Sequence, residues 1–387
     1  MKTLLPGATL GVLGGGQLGR MFVHEAQRMG YQTVVLEPEH HSPAGGVSHH
    51  HLCADYTDAA ALAELARRCD AVTTEFENVP ASALAELARH LPVAPRAEAV
   101  AVAQDRVAEK AHFVRCGVAV APYAVIDSEA ALAQVDDALL PGILKTARMG
   151  YDGKGQVRVA DREAVRAAWR QLGQTVCVLE QRLPLAAECS VIVARGHDGA
   201  QVHLPVQRNL HREGILAVTE VGPGGVDPSL AREVTEAAHA IAEGLGYVGV
   251  LCVEFFVLQD GRWVVNEMAP RPHNSGHYSQ DACDVSQFEL QVRCMAGLPL
   301  VAPRLHSAAV MLNLLGDLWR GPQANDAACA PPWAEVLALP GTHLHLYGKH
   351  EARAGRKMGH LTITAATPQA ARDVALQAAA RLGIAPF

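Results

Sequence analysis

The chain has 387 residues, 49% apolar, 5% aromatic and 19% charged, with a formal net charge of −7. That length exceeds what one hydrophobic core usually organises and implies two or three domains. The acidic balance gives no basic footprint for nucleic acid, and no apolar run approaches the roughly 18 residues of a transmembrane helix, so neither nucleic acid nor membrane is an expected partner.

Thr9 to Leu13 reads as a short strand, followed by Gly14-Gly15-Gly16-Gln17-Leu18-Gly19 and a helix to about Met29. The opening Met1 to Gly7 runs directly into that strand, which predicts no secretory leader. Gln32 to Leu36 and Val72 to Phe76 are further strands, with a helix over Ala81 to His90. Strands alternating with helices predict a parallel sheet covered by helices. Glu98 to Cys116 reads as one long helix ended by Gly117. A strand ending at Lys145, a glycine-rich loop, a helix near Glu163 to Gln171 and a strand Val176 to Gln181 come next. Glu188 to Arg195 and Gln201 to Val206 are strands, Ser229 to Gly244 an amphipathic helix, and Val248 to Leu258 and Arg262 to Met268 two strands around Asp260-Gly261. A strand from Ala308 to Leu314, a Pro/Ala-rich stretch, short strands and a helix after Pro368 close the chain. The expected organisation is an α/β domain over 1–109, a mixed α+β domain over 110–298 and a small domain over 299–387. Nine cysteines, an odd number without CxxC spacing, point to reduced thiols and a cytoplasmic setting.

Gly14, Gly16 and Gly19 fit GxGxxG between strand and helix, with Glu37 placed for a ribose hydroxyl. Alone this suggests a dinucleotide enzyme; a turn whose amides face another ligand, or only permit packing, is the alternative. His40-His41 and His49-His50-His51 have no partner ligands at metal spacing and read as solvated loop histidines.

The two-residue turn Asp260-Gly261 sets a hairpin register in which opposed residue numbers sum to 521. Glu254 then faces Glu267, about 5 Å apart at Cβ, amid apolar neighbours. Like charges so placed repel unless one is protonated or a cation lies between them. Hard oxygen ligands without soft partners suit magnesium, which commonly keeps phosphate oxygens in its shell.

Only six basic residues are lysine, at 2, 110, 145, 154, 349 and 357, in a chain that otherwise uses arginine. Lys145 ends a strand and precedes Gly150-Tyr151-Asp152-Gly153-Lys154-Gly155-Gln156, whose amides suit phosphate oxygens although the Walker A spacing is absent. Glu180-Gln181-Arg182-Leu183 ends another strand, and Glu188 begins the next.

This ordered set of lysine, glycine loop, strand-end acid and carboxylate pair resembles the ATP-grasp superfamily. The fold class implied is α/β and α+β, an ATP-grasp architecture with a Rossmann-like parallel-sheet domain before it and a small domain after. More distinctive are Thr74-Glu75-Phe76-Glu77-Asn78, Gln104-Asp105-Arg106, Asn209-Leu210-His211-Arg212-Glu213-Gly214, the run Asn266 to His277, Tyr347-Gly348-Lys349 and Gly355 to His360. Together they resemble the 5-(carboxyamino)imidazole ribonucleotide synthase family over nearly the whole chain.

The resemblance implies an ATP-dependent ligase of purine biosynthesis that carboxylates the amine of aminoimidazole ribonucleotide with bicarbonate through carboxyphosphate. It implies ATP as co-substrate, magnesium, and a homodimer. By position it assigns Arg106, Lys110, Lys145, Gly150, Tyr151, Asp152, Gly153, Lys154, Gly155, Gln156, Glu180, Gln181, Arg182, Leu183, Glu188, His211, Asn266 and Glu267 to ATP. Glu254 and Glu267 would hold the metal; Ala269 stands where many ATP-grasp enzymes have an Asn ligand. Tyr151, Asp152, Arg271, His273, Asn274, Ser275, Lys349 and Arg356 are assigned to the ribonucleotide, with Arg271, His273 and Lys349 nearest the chemistry. Whether His273 is a base or an orienting group stays open. The alternatives are a formate-dependent glycinamide ribonucleotide transformylase, a non-catalytic nucleotide-binding regulator and, third, a dinucleotide oxidoreductase.

Overall fold

The computed structural model describes residues 2–150, 155–319 and 330–387. The N-terminal sheet is parallel, with strands in the order His50–Leu52, Gln32–Leu36, Thr9–Leu13, Ala71–Thr74. Period-two alternation divides its side chains: Leu10, Val12 and Val35 go to one core, Leu13, Val34 and Leu36 to the other. Both faces are thus covered, as a parallel sheet requires. His50–Leu52 was expected as loop; instead it forms the edge strand, and His49 Nδ1 accepts the Thr33 N–H at 3.1 Å.

Helix Gln17–Arg28 packs on one face together with Gln287–Ala296, a helix missing from the sequence reading. Nearly every residue of Gln287–Ala296 is buried, including Gln287, Glu289 and Gln291. A helix covered all round carries no polar face, and its periodicity disappears. Its Phe288, Leu290 and Val292 join the first sheet's core to that of the large antiparallel sheet.

The long helix expected over 98–116 is two helices, Ala97–Ala103 and Arg106–Arg115. Asp105 separates them: its carboxylate accepts from Val107 N and Ala108 N and caps the second helix. That start places Arg106 at the mouth of the site, and the expected limit at 109 falls inside the helix.

A four-stranded antiparallel sheet follows, in the order Tyr123–Ile126, Cys177–Gln181, Gly142–Thr146, Gln156–Val159. The third sheet has nine strands. Its main path runs Trp263–Ala269, Gly249–Leu258, Leu185–Arg195, Gln207–Arg212, Ile215–Val221, Ala308–Leu315, Lys357–Ala365, Thr342–Leu346. The last three strands come from beyond residue 298, and Val218 pairs with Leu312. Hydrogen bonding therefore continues across the expected 298/299 limit, which brings Lys349 and Lys357 back toward the hairpin. Among the described residues no helix is long and apolar enough to cross a membrane.

Candidate active site

Glu254 and Glu267 are paired across the ladder, as the hairpin arithmetic predicts, but by a different route. Near the turn the pairs are Val257 with Trp263 and Phe256 with Val264, not Val257 with Val264. Leu258 N donates to Arg262 O at 2.7 Å, so the loop holds three residues, with Gly261 at φ 85°. A three-residue loop closed by a left-handed glycine is a standard hairpin alternative. The pairing then shifts by one between Glu254/Phe255, leaving Asn266 as the extra residue. The bulge cancels the longer turn and re-aims the strand where the carboxylates lie.

Two cavities, of about 780 and 1020 Å³, meet at this hairpin. Arg106, Glu254, Glu267, His273, Asn274 and Lys357 line both, as does Gly150. Lys145, Gly155, Gln156, Glu180, Gln181, Arg182, Leu183, Glu188, His211 and Asn266 line the second. Arg271, Lys349 and Arg356 line the first, with Gly15, Gly16, Glu75 and Glu77. Lys110 and Ser275, both expected on ligands, line neither. Tyr151, Asp152, Gly153 and Lys154 lie outside the described residues.

In the second cavity Glu180 is held between Lys145 Nζ at 2.8 Å and Lys110 Nζ at 2.9 Å. Burial opposes ionisation of Glu180, but the two ammoniums outweigh it and hold its carboxyl at about 2. This accounts for Lys110: only 1% of its side chain is exposed, and it serves the wall by neutralising Glu180. Glu188 Oε2 stands 2.7 Å from His211 Nδ1. Burial disfavours charge on His211, yet bonding to Glu188 and the nearby Glu254 and Glu267 raise its pKa above the ordinary imidazole value.

At the junction Arg106 Nη1 lies 3.1 Å from Glu267 Oε2. Burial, with Glu267 as a like neighbour, raises the Glu254 carboxyl, whereas Arg106 and Lys145 lower Glu267. Glu254 Oε1 and Asn266 Oδ1 are buried without a hydrogen-bond partner among the described residues. Cys252 and His273 each bring a possible ligand atom close to Glu254, and burial raises the Cys252 thiol well above the usual range. Glu254, Glu267 and Asn266 together offer oxygen donors, charged and partly unsatisfied, which fit magnesium.

In the first cavity Arg271 pairs with Glu77. The glycine loop is occupied by the chain's own acids. Gly16 N and Gly19 N donate to Glu75 at 2.8 and 3.0 Å, and Gly15 N donates to Glu37 at 2.6 Å. A Cβ on Gly14 would lie 2.7 Å from Glu75 Oε1. Glu37, expected on a ribose, instead takes an amide and the Tyr56 hydroxyl. The glycines therefore permit close approach of carboxylates, and the amides a dinucleotide phosphate needs are already paired. Lys349 Nζ donates to Lys357 O at 2.8 Å.

Family models match along the chain in order: a ribonucleotide synthetase preATP-grasp domain at 7–104, an ATP-grasp domain at 111–288, and a phosphoribosylaminoimidazole carboxylase C-terminal domain at 309–374. The N5-carboxyaminoimidazole ribonucleotide synthase of Brucella melitensis is 44% identical, over 93% of this chain and 97% of its own. The chain belongs to the N5-carboxyaminoimidazole ribonucleotide synthase family. The Bacillus subtilis synthase is 39% identical, over 94% of this chain and 93% of its own. A solved synthase with ADP superposes with a TM-score of 0.90 at 37% identity, covering 98% of both chains. The Aspergillus clavatus synthase, solved with ADP and 5-aminoimidazole ribonucleotide, has a TM-score of 0.88 at 30% identity, over 98% of this chain and 100% of that one. The ATP-grasp architecture with a preceding parallel-sheet domain is thereby shown for this member of the synthase family.

Sequence reading of this synthase chain missed Glu75, Glu77 and Lys357 as cavity residues, although each stood in a distinctive segment. It missed Gln287 altogether. Gln287 Oε1 accepts the His273 N–H and its Nε2 donates to His273 O, both at 2.8 Å, clamping the backbone of the site loop. No sequence signal marks a glutamine inside a buried helix for that task.

Proposed function

We propose that this chain carboxylates the exocyclic amine of 5-aminoimidazole ribonucleotide, consuming ATP and bicarbonate and releasing ADP and phosphate. The observation that carries this reading is the meeting of two cavities at one acidic pair. A nucleotide lying in the second cavity directs its triphosphate to Glu254 and Glu267; a ribonucleotide in the first brings its amine to the same place. Glu254 and Glu267 would hold magnesium, which when bound neutralises charge on the phosphates. Bicarbonate attacks the γ-phosphorus, forming the P–O bond of carboxyphosphate as the bond to ADP breaks. The amine nitrogen then bonds to the carboxyl carbon, directly or through released carbon dioxide, with loss of phosphate and one amine proton. Phosphoryl transfer of this kind depends on alignment and charge neutralisation. Lys145 and Arg106 supply charge along the triphosphate, Gln181 to Leu183 hold the base, and Glu188 takes the ribose. Arg271 presents a planar fork to bicarbonate, while Lys349 and Arg356 take the phosphomonoester. A cytoplasmic homodimer is the setting we propose.

The test is ADP release with magnesium and ATP, with and without aminoimidazole ribonucleotide and bicarbonate. Dependence on both supports the reading. Formate dependence with glycinamide ribonucleotide would favour the transformylase, and tight ATP binding without stimulated release would favour a regulator.

The Lys349 role has a pH signature. Burial, reinforced by Arg356, lowers the Lys349 ammonium to about 8. Its positive charge is therefore present below that value and lost above it. If only the charged form holds the phosphate, the KM for ribonucleotide should rise roughly tenfold from about pH 7 to about pH 9, with the KM for ATP flat. Lys349→Arg, charged throughout, should remove the rise. An unchanged rise in that variant would place the titrating group elsewhere.

A further inference from the structure

Asp281, His345 and His360 line neither cavity, yet they gather at the seam between the C-terminal strands and the short helix Ser279–Ala282. His345, on Thr342–Leu346, is the ladder partner of His360, on Lys357–Ala365, and their rings stack 4.4 Å apart with 7° between planes. Asp281 Oδ2 stands 2.8 Å from His345 Nε2. One ligand atom from each of the three lies within 4.8 Å of the other two. His360 is fully buried, with Nδ1 2.9 Å from the Tyr347 hydroxyl and Nε2 without a hydrogen-bond partner among the described residues. We propose that Asp281, His345 and His360 form a site for a divalent transition metal of the zinc class, separate from the magnesium site at Glu254 and Glu267.

A buried imidazole nitrogen left unpaired is costly, and a bond to an ion removes that cost. Burial keeps His360 uncharged, its pKa well below the ordinary value, so the ring retains a lone pair for a metal. With the Nδ1 proton donated to the Tyr347 oxygen, that lone pair sits on Nε2; such an outer contact is usual for a metal-bound histidine. Two imidazoles with one carboxylate suit zinc and its neighbours, whereas magnesium takes oxygen ligands. Atoms bound about 2.1 Å from one ion lie about 3–3.5 Å apart, close to the separation of Asp281 from His345, and small ring and carboxylate rotations bring in His360. The ion takes the place of the hydrogen that Asp281 and His345 share, and the His345 ring proton resides on Nδ1. Asp281 keeps 13% of its side chain exposed and His345 26%, which gives an ion a way in and leaves a position for water. Tyr347 and Lys349 are two residues apart, so a bound ion stiffens the segment that carries Lys349 into the first cavity.

The test is titration of the chelator-treated full chain with Co²⁺, whose visible absorption reports its ligands. The expected result is an ion bound without a thiolate charge-transfer band, displaced by Zn²⁺ and not by excess Mg²⁺. Asp281→Asn and His345→Gln, at partly exposed positions that tolerate substitution, should each weaken that binding by about 100-fold or more, and Tyr347→Phe by about tenfold. Glu254→Gln should leave it unchanged, which separates this site from the group formed by Cys252, Glu254 and His273. Zn²⁺ should raise the melting temperature of the wild type and not of the two ligand variants. Absence of Co²⁺ binding, binding or a melting rise that survives both ligand variants, or loss of binding in Glu254→Gln overturns the proposal. Unchanged affinity in Tyr347→Phe would remove the orienting role of that hydroxyl. No turnover enters these measurements, so failure of the proposed carboxylation would leave their result standing.

Discussion

Glu267→Gln should lower kcat for magnesium-dependent ADP release by about 10²- to 10⁴-fold, with the fold intact. The figure corresponds to about 3–5 kcal/mol of electrostatic stabilisation lost from the transition state when one fixed charge is removed from beside the transferring phosphoryl group. Glu267 is both the partner of Arg106, at 3.1 Å, and the residue opposed to Glu254. Neutralising it leaves Arg106 without its counter-charge and the proposed metal site with one carboxylate. Stability should change little, because 41% of the Glu267 side chain is exposed and a like charge beside Glu254 is removed. Circular dichroism and melting would establish the fold; a kcat within threefold of wild type would remove the metal assignment.

Arg271→Ala should produce a loss of similar size, about 10²- to 10³-fold in kcat, with the KM for ATP nearly unchanged. Arg271 lines only the first cavity, where burial works against its charge and Glu77 and Glu75 preserve it. Its removal leaves Glu77 uncompensated and takes away the fork proposed for bicarbonate. Arg271→Lys restores the charge but not the two parallel donors, so it should recover only a small part of kcat. Steady-state kinetics with bicarbonate as the varied substrate checks this. A raised KM for ATP with unaltered bicarbonate dependence would contradict the placement.

The carboxylate pair was legible because a hairpin is local: a turn and a count across it bring two residues together. Even there, the longer turn and the bulge at Asn266 are two departures that cancel at Glu254 and Glu267. Lys145 and Glu180 were legible as strand ends, but their contact depends on the pairing of Gly142–Thr146 with Cys177–Gln181. Lys110 shows the limit of such reading. Its position in the chain suggested a ligand contact, whereas burial commits its ammonium to Glu180.

What the amino-acid order determined by itself was the alternation of strands and helices, the acidic hairpin, and the family likeness of its long motifs. Those rest on short-range geometry and on residue identity. The tertiary structure alone decided which groups oppose one another across the site: Glu75 on the glycine loop, Glu77 on Arg271 across 194 residues, Ser190 behind Ser275 across 85. Buried polar groups must find partners wherever the chain brings them. Pairings between distant segments are set by how the sheets assemble, and no local spacing in the sequence records them.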